Sequence, residues 1–192
     1  MKHSSFDIVI VGGGHAGIEA ALIADRYNLS VLLVTMDPAA AGRMSCNPAI
    51  GGLAKGQIVR EIDVLGGVMA SLADKAGIQF KTLNKKKGRA VWSPRAQVDK
   101  RAYERLVLKA LSNSSVVLLA GEVVSFTYNK NAVSGVVLRD DSKIKCKSII
   151  VTAGTFLSGV IHIGERKIYA GRMGEERSEG LTEHLVSMGF TA

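Results

Sequence analysis

The chain begins with a short apolar run that has no polar face. Residues 8–11 are Ile-Val-Ile-Val, which is typical of a strand buried on both sides of a parallel sheet. A second run of this kind covers residues 31–34, and the residues between them, 18–28, have helical spacing of small and apolar side chains. Asn28 is placed to end that helix in a left-handed conformation. These patterns predict a βαβ unit.

The middle of the chain is less regular. Residues 38–52 contain Asn-Pro and Gly-Gly pairs, which are strong turn formers, so we expect a loop there. The further elements predicted in this part are helices over residues 53–65 and 68–76, a strand over 78–83, a charged loop over 84–89 and an amphipathic helix over 97–111.

From residue 116 onward the pattern is that of strands. An apolar strand is predicted over residues 116–119, and short strands separated by Asn, Asp and Ser turns predict an antiparallel meander over about 122–147. A buried strand over residues 148–155 and a final helix over 179–188 follow. The predicted fold class is therefore α/β, a Rossmann-like domain over residues 1–192 with a central parallel sheet and a β-meander crossover.

A glycine-rich turn joins the first strand to the first helix. Gly12, Gly14 and Gly17 have G-x-G-x-x-G spacing, in which they permit a tight turn, close approach of a pyrophosphate, and close helix–strand packing, respectively. A helix N-terminus also favours negative charge. We therefore expect a dinucleotide site here; a glycine-rich turn without a ligand is the alternative.

The order of elements favours a flavin nucleotide over NAD. Two-dinucleotide-binding-domain flavoproteins use a meander as their crossover and bring a final turn, here Thr152-Ala153-Gly154, beside FAD. Thr35 stands where an acidic residue usually holds the ribose, with Asp37 two positions later. A threonine offers a ribose hydroxyl no charge-assisted contact, which weakens the case for an ordinary NAD site.

Composition and charge narrow the class of protein. The chain is 47% hydrophobic and contains no apolar run of membrane-spanning length, and no signal-peptide pattern precedes the first strand, so we expect a cytoplasmic protein without membrane contact. Its net charge of +8 is compatible with a polyanionic partner or simply with a basic surface. Two distant cysteines, Cys46 and Cys146, predict neither a disulfide framework nor a metal site.

Several polar residues are candidates for chemistry. Cys46 falls in the predicted loop before a helix, whose N-terminus could lower the pKa of the thiol, although an inert packed cysteine is the alternative. Arg95 and Gln97, near the expected start of the helix over 97–111, have polar side chains that could contact a ligand. The basic run 85–87 is either a solvated turn or an anion contact.

Four segments carry a resemblance to a known family: residues 12–21, 45–56, 95–99 and 154–157. Together they resemble the MnmG (GidA) family of FAD-dependent tRNA uridine 5-carboxymethylaminomethyl modification enzymes. Members of that family are several times longer. The resemblance therefore implies a truncated chain, the N-terminal part of the FAD-binding domain, without the NADH-binding insertion and the C-terminal helical domain.

The resemblance also implies an activity. Working with the GTPase MnmE, which docks on the C-terminal region, such an enzyme adds a carboxymethylaminomethyl or aminomethyl group at C5 of the wobble uridine of certain tRNAs. It uses methylene-tetrahydrofolate, glycine or ammonium, FAD and NADH, and it is expected to be a homodimer at full length.

Site residues follow by resemblance. Cys46 matches the cysteine implicated in catalysis, either attacking the pyrimidine or protecting a flavin-linked intermediate. The implied FAD-binding residues are Gly12, Gly13, Gly14, His15, Ala16, Gly17, Thr35, Val123 through its backbone, Thr152, Ala153, Gly154 and Ser178. The residues assigned to the flavin and tRNA side are Lys85, Lys86, Lys87, Arg95 and Gln97.

Three alternatives stay open. The nearest is a folate- and FAD-dependent tRNA uridine methyltransferase of the TrmFO type, which shares the flavin architecture. A flavoprotein oxidoreductase acting on a small molecule would share the glycine motif but has no reason to carry Cys46-Asn47-Pro48. A non-catalytic module that binds a nucleotide or tRNA is the third.

Overall fold

A computed structural model describes residues 5–44, 47–130 and 132–191 of the chain. The helices are α1 (His15–Arg26), α2 (Lys55–Val64), α3 (Met69–Ala76), α4 (Lys100–Ser112) and α5 (Leu181–Ser187). The strands are β1 (Phe6–Val11), β2 (Val31–Thr35), β3 (Ala49–Gly51), β4 (Gly77–Leu83), β5 (Ser93–Val98), β6 (Val117–Ala120), β7 (Val123–Asn129), β8 (Ala132–Leu138), β9 (Lys143–Val151), β10 (Ile161–Ile163) and β11 (Arg166–Ile168).

The central sheet has six strands in the order β6-β2-β1-β9-β8-β7. Strands β6, β2, β1 and the second half of β9 are parallel. Alternate residues of β1 and β2 enter different cores: Ile10 and Leu33 pack with α1, α3 and α4, whereas Val9 and Leu32 pack with the meander and α5. Both faces of the parallel strands are thus covered, which explains their uninterrupted apolar sequence. The predicted α/β, Rossmann-like fold class is confirmed.

Strand β9 differs from the prediction, which placed separate strands at residues 143–146 and 148–155. It is one continuous strand whose first half pairs antiparallel with β8 and whose second half pairs parallel with β1. Lys147, at the expected break, stays extended and its Nζ donates to Asp7 Oδ1 at 2.7 Å. The meander therefore belongs to the central sheet, and the strand ends at Val151, where the 152–154 turn begins.

A separate antiparallel sheet has the order β3-β5-β4. Its presence corrects two predictions, because β3 lies in the expected 38–52 loop and the last two residues of β5 are the expected first two of the 97–111 helix. Helix α4 begins only after Asp99, whose Oδ1 accepts a hydrogen bond from the N–H of Ala102 at 2.7 Å. This N-cap fixes the helix start, so Arg95 and Gln97 lie on a strand.

The other predicted elements agree with the structure to within a few residues. Asn28, with φ of 58°, follows α1 in the left-handed conformation expected of it. Beyond the central sheet, residues 161–168 form a β10–β11 hairpin. Within the three described ranges, no helix is long and apolar enough to span a membrane.

Candidate functional site

A cleft of about 370 Å³ opens at the carboxyl ends of the parallel strands. Its walls include the turn after β1, the residues after β2 and the turn after β9. Because β2 and β9 lie on opposite sides of β1, the cleft is at the point where the chain's connections diverge, the usual ligand position in open α/β sheets. Nine of the predicted FAD-binding residues line it: Gly12, Gly13, Gly14, Thr35, Val123, Thr152, Ala153, Gly154 and Ser178.

The glycines of the turn have different surroundings. Gly12 has φ of +113°, and a β-carbon there would lie 2.5 Å from the carbonyl oxygen of Thr152. A β-carbon at Gly17 would lie 1.9 Å from the carbonyl oxygen of Gly12, so this glycine is what lets α1 pack against the turn. A β-carbon at Gly14 would meet nothing within 4 Å. The main chain at Gly14 therefore borders open space.

The N-terminus of α1 borders this cleft at Gly14, and the first amides of the helix have no hydrogen-bond partner among the described residues. Gly14 is the N-cap and offers no side-chain cap, and no acidic residue lies in the first turn of the helix. The first amide that bonds back to the turn is that of Ile18, which donates to Gly14 O at 3.0 Å. The preceding amides of residues 15–17 are the unpaired donors common to helix starts. Bare backbone and a positive dipole end fit the diphosphate of FAD.

The end of β2 contributes two ribose candidates. The side chain of Thr35 packs against the glycine turn, since a β-carbon at Gly13 would lie 2.8 Å from its Oγ1. Asp37 also lines the cleft, but its Oδ1 already accepts a hydrogen bond from the N–H of Ala39 at 2.9 Å. Thr35 thus lines the cleft as expected, and so does Asp37, the carboxylate two positions later in the sequence.

Val123 and Ser178 lie on the wall nearest the meander. Val123 lines the cleft, but the whole residue, side chain and backbone together, is only 2% exposed. Ser178 is 8% exposed; its N–H donates to Phe156 O at 2.8 Å and its carbonyl accepts from the Ser158 N–H at 2.9 Å. These bonds hold the late loop against the turn that follows β9.

Glu122 ties the same loop to the meander. Its carboxylate pairs with Arg139, and Oε1 also accepts a hydrogen bond from the N–H of Glu179 at 2.9 Å. The Arg139 guanidinium lowers the pKa of the Glu122 carboxyl more than its partial burial raises it. Glu122 is therefore ionised at neutral pH and fixes the position of Ser178.

Sequence reasoning missed two arginines that line the cleft, Arg43 and Arg172. The guanidinium of Arg43 forms ion pairs with three carboxylates. Its Nη2 lies 3.6 Å from Asp37 Oδ2, its Nε 3.9 Å from Glu104 Oε1, and its Nη1 3.7 Å from Glu175 Oε1. The Arg172 guanidinium lies 5.3 Å from the centre of the Phe156 ring. Single arginines in loops have no spacing that marks them, so only the fold could bring these two to the site.

His15, Ala16 and Gly17 do not line the cleft. The His15 ring stacks on Tyr103 of α4, with 5.7 Å between the ring centres. Burial lowers the pKa of His15, and the nearby charge of Arg172 lowers it further. The side chain is therefore a neutral packing group, and these three residues offer a ligand only their backbone amides.

Cys46 and its neighbour at position 45 lie outside the described residues. The described residues on either side are anchored: the N–H of Gly42 donates to Gly13 O at 2.8 Å, and the N–H of Val98 donates to Pro48 O at 2.9 Å. Cys146, in contrast, is buried in β9, and burial raises the pKa of its thiol. Cys146 is therefore a core residue.

The residues predicted for the flavin and tRNA side are not in the first cleft. Lys85, Lys86 and Lys87 form an exposed 3-10 turn after β4, and Gln97 lies on β5 opposite Ala49. Lys85 and Arg95 line a second cleft of about 670 Å³ between α2, α3 and the three-stranded sheet. The structure thus separates these residues from the glycine turn.

Comparison with known proteins gives consistent matches. The sequence profile of the family described as glucose inhibited division protein A matches residues 7–192. Two tRNA uridine 5-carboxymethylaminomethyl modification enzymes MnmG each match 96% of this chain. The enzyme of Aquifex aeolicus is 50% identical to it, and that of a Sulfurihydrogenibium species is 48% identical. This chain spans 30% of the length of each relative.

The solved structure of Aquifex aeolicus GidA superposes with a TM-score of 0.92 at 48% identity. The match covers 98% of this chain and 31% of that one. The family profile extends over almost the whole chain, and sequence and fold agree. The chain belongs to the glucose inhibited division protein A (GidA, MnmG) family.

Proposed function

We propose that this chain is the FAD-binding part of an enzyme that modifies tRNA. Together with the GTPase MnmE, the whole enzyme adds a carboxymethylaminomethyl or aminomethyl group at C5 of the wobble uridine, using methylene-tetrahydrofolate, FAD and NADH. The observation that carries the proposal is a cleft of bare main chain at the strand ends, in a chain about half identical to named MnmG enzymes.

Different described residues would contact different parts of FAD. The amides of residues 15–17 and the open backbone at Gly14 would bind the diphosphate. Thr35 and Asp37 would hold the adenosine ribose, while the backbone of Val123 and the loop at Ser178 would border the adenine. The turn over residues 152–154 would then lie beside the rest of the cofactor. Bound FAD would supply the redox chemistry of the reaction.

Cys46 is the proposed reactive thiol. Support comes from its neighbours, because Gly42 is bonded to the glycine turn and Pro48 to β5, so the segment between them begins beside the proposed cofactor site. The other cysteine, Cys146, is buried in the core and can serve as a control.

The partners proposed for the whole protein are tRNA, MnmE and a second copy of the same chain, in the cytoplasm. The net charge of +8 supports an RNA substrate, since neutralising phosphates releases counterions. The names of relatives at about 50% identity favour this function over the TrmFO-type methyltransferase or a small-molecule oxidoreductase.

A chimeric enzyme tests the proposal. This chain would replace the matching 30% of Aquifex aeolicus MnmG in a bacterium that lacks its own enzyme, and mass spectrometry of tRNA nucleosides would report wobble modification. We expect modification to be restored by the chimera and by its Cys146→Ala variant, and to be lost with Cys46→Ala. A yellow, soluble chimera that restores none would contradict the proposed function, and an active Cys46→Ala variant would remove Cys46 from the chemistry.

A further inference from the structure

The net positive charge of the chain comes from one segment. Residues 77–109 contain ten of the 25 lysines and arginines but only two of the 17 acidic residues, which gives this segment a net charge of +8. That equals the net charge of the whole chain, so the other residues are balanced. The segment covers β4, the 3-10 turn of residues 85–87, β5 and most of α4.

The fold places part of this charge around the second cleft, between α2, α3 and the three-stranded sheet. Its four basic lining residues come from three elements and one turn: Arg60 from α2, Lys81 from β4, Lys85 from the 3-10 turn after β4, and Arg95 from β5. Two acidic residues, Asp63 and Asp74, also line it. The cleft is therefore net positive, and it is the larger of the two described here.

The four cationic side chains around the second cleft do not stabilise the fold through ion pairs with described residues. Within the described ranges, none of them lies within 4.0 Å of a carboxylate, whereas Arg43, Arg139, Lys147 and Arg177 all form ion pairs. Arg60, Lys81 and Lys85 are exposed. Holding four like charges around one concavity without partners costs electrostatic energy that a bound polyanion would offset.

We propose that this second cleft binds the phosphate backbone of the tRNA substrate, an inference that rests on the proposed function. A polymer fits better than a small anion because exposed positive side chains continue past Lys85 along the chain, with Lys86 and Lys87 in the same 3-10 turn and Arg89 in the next one. Cations on several elements can each neutralise one phosphate, which gives affinity without reading sequence. The cleft would hold the RNA while the glycine-turn cleft holds the cofactor.

RNA binding by the 192-residue chain tests this proposal. A fluorescently labelled anticodon stem-loop with an unmodified wobble uridine would be titrated by anisotropy at several salt concentrations. The test variant is Arg60→Gln with Lys81→Gln, and the matched control is Lys143→Gln with Lys145→Gln, two exposed lysines of β9 that also remove two charges. Thermal unfolding would show that both variants are folded, and Lys85→Gln on the exposed turn is a second, milder variant.

We expect the test variant to bind RNA roughly tenfold more weakly at 0.1 M salt, and its plot of log affinity against log salt to be shallower by about 1.4, as for two lost single-strand phosphate contacts. Lys85→Gln should change the slope by about half as much. The control pair should keep an affinity within about twofold of the wild type. Equal affinity for test variant and wild type, or equal loss in the control pair, would overturn the proposal.

FAD and NADH titrations separate this proposal from the proposed function. If the test variant lost FAD or NADH binding and kept RNA binding, the cleft would be a nucleotide site and the proposal would be wrong. If the wild type bound no FAD but RNA binding still depended on Arg60 and Lys81, the cleft assignment would stand and the proposed flavin function would fail.

Discussion

At the scale of single residues, Gly14 and Gly17 show how one motif contains two unrelated requirements. Gly17 is needed by the fold, because any β-carbon would collide with Gly12 O at 1.9 Å. Gly14 is not needed by the fold, because its surroundings are open and its φ of −73° suits any residue. The bare backbone at Gly14 therefore agrees with the proposed binding of a diphosphate there.

Gly17→Ala is expected to destabilise the chain by roughly 3 kcal/mol, since the collision is with main chain that cannot move aside without shifting the turn. Urea unfolding followed by circular dichroism measures the effect. Gly14→Ser serves as the comparison, because serine is a favoured N-cap and should leave the free energy of unfolding equal or slightly higher. Similar losses in the two variants would show that the turn is packed differently.

His15 gives the chain a predictable pH dependence. Its pKa is lowered in the folded state, mainly by burial, so the unfolded chain binds the proton more readily. The free energy of unfolding should therefore fall as pH drops below about 6.5, the ordinary value, towards the lower folded pKa. His15→Phe keeps the stacking on Tyr103 but cannot titrate. Unfolding at pH 7.5 and 5.5 should show a smaller loss for this variant; the same loss in both proteins would contradict the assignment.

Residue roles were predictable where spacing encodes them. Gly12, Gly14 and Gly17 have the predicted surroundings because the motif specifies geometry. Arg43 and Arg172 were not predictable, because a loop arginine has no pattern until the chain around it is folded. His15 was predicted to bind the cofactor, yet its side chain faces Tyr103, a contact 88 residues away in sequence that no local pattern reveals.

At the scale of elements, α3 depends on a residue of α1 for its start. The N-terminal amides of Val68 and Met69 donate to the Glu19 carboxylate, at 3.0 Å and 2.6 Å. Val68, the N-cap, offers no cap of its own. A carboxylate at a helix N-terminus satisfies unpaired donors and complements the dipole. Glu19 thereby joins the glycine-turn helix to the wall of the second cleft.

Glu19→Gln is expected to cost about 1 kcal/mol, because the charge is lost while an acceptor oxygen is kept, and Glu19→Ala about 2 kcal/mol. Urea unfolding would measure both. Glu61→Gln, at an exposed position of α2, is the matched control and should change the free energy by less than about 0.5 kcal/mol. A Glu19→Ala variant as stable as the control would show that the cap contributes nothing.

Elements were predicted best where burial is complete. Strands β1 and β2 are apolar on both faces, and their extent was found to within two residues. Strand β5 was not predicted, and its last two residues were assigned to the helix over 97–111. Its sequence, Ser-Pro-Arg-Ala-Gln-Val, is polar and half-buried, and only pairing with β3 and β4 makes it extended. Tertiary pairing decided its conformation over local propensity.

At the scale of the whole molecule, two clefts of different character lie on one chain. One is lined by bare backbone at the ends of parallel strands. The other is lined by cations of α2, of a separate sheet and of the turn after β4, which form no ion pairs in the part of the chain that the structure describes. The first was foreseeable from the glycine motif and the order of elements. The second was foreseeable only in part: Lys85 and Arg95 were candidates for ligand contact, but no local pattern links them to Arg60 of α2 and Lys81 of β4, and only the fold brings these residues around one concavity.

FAD binding by this chain tests the central claim most directly. We predict that wild-type protein titrated with FAD quenches flavin fluorescence and retains a yellow absorbance after gel filtration. Gly14→Ser should bind FAD at least tenfold more weakly without losing stability, because a β-carbon there meets no protein atom within 4 Å and the serine hydroxyl would cap the amides that are proposed to bind the diphosphate. A wild type that binds no FAD, or a folded Gly14→Ser variant that binds it equally well, would contradict the account.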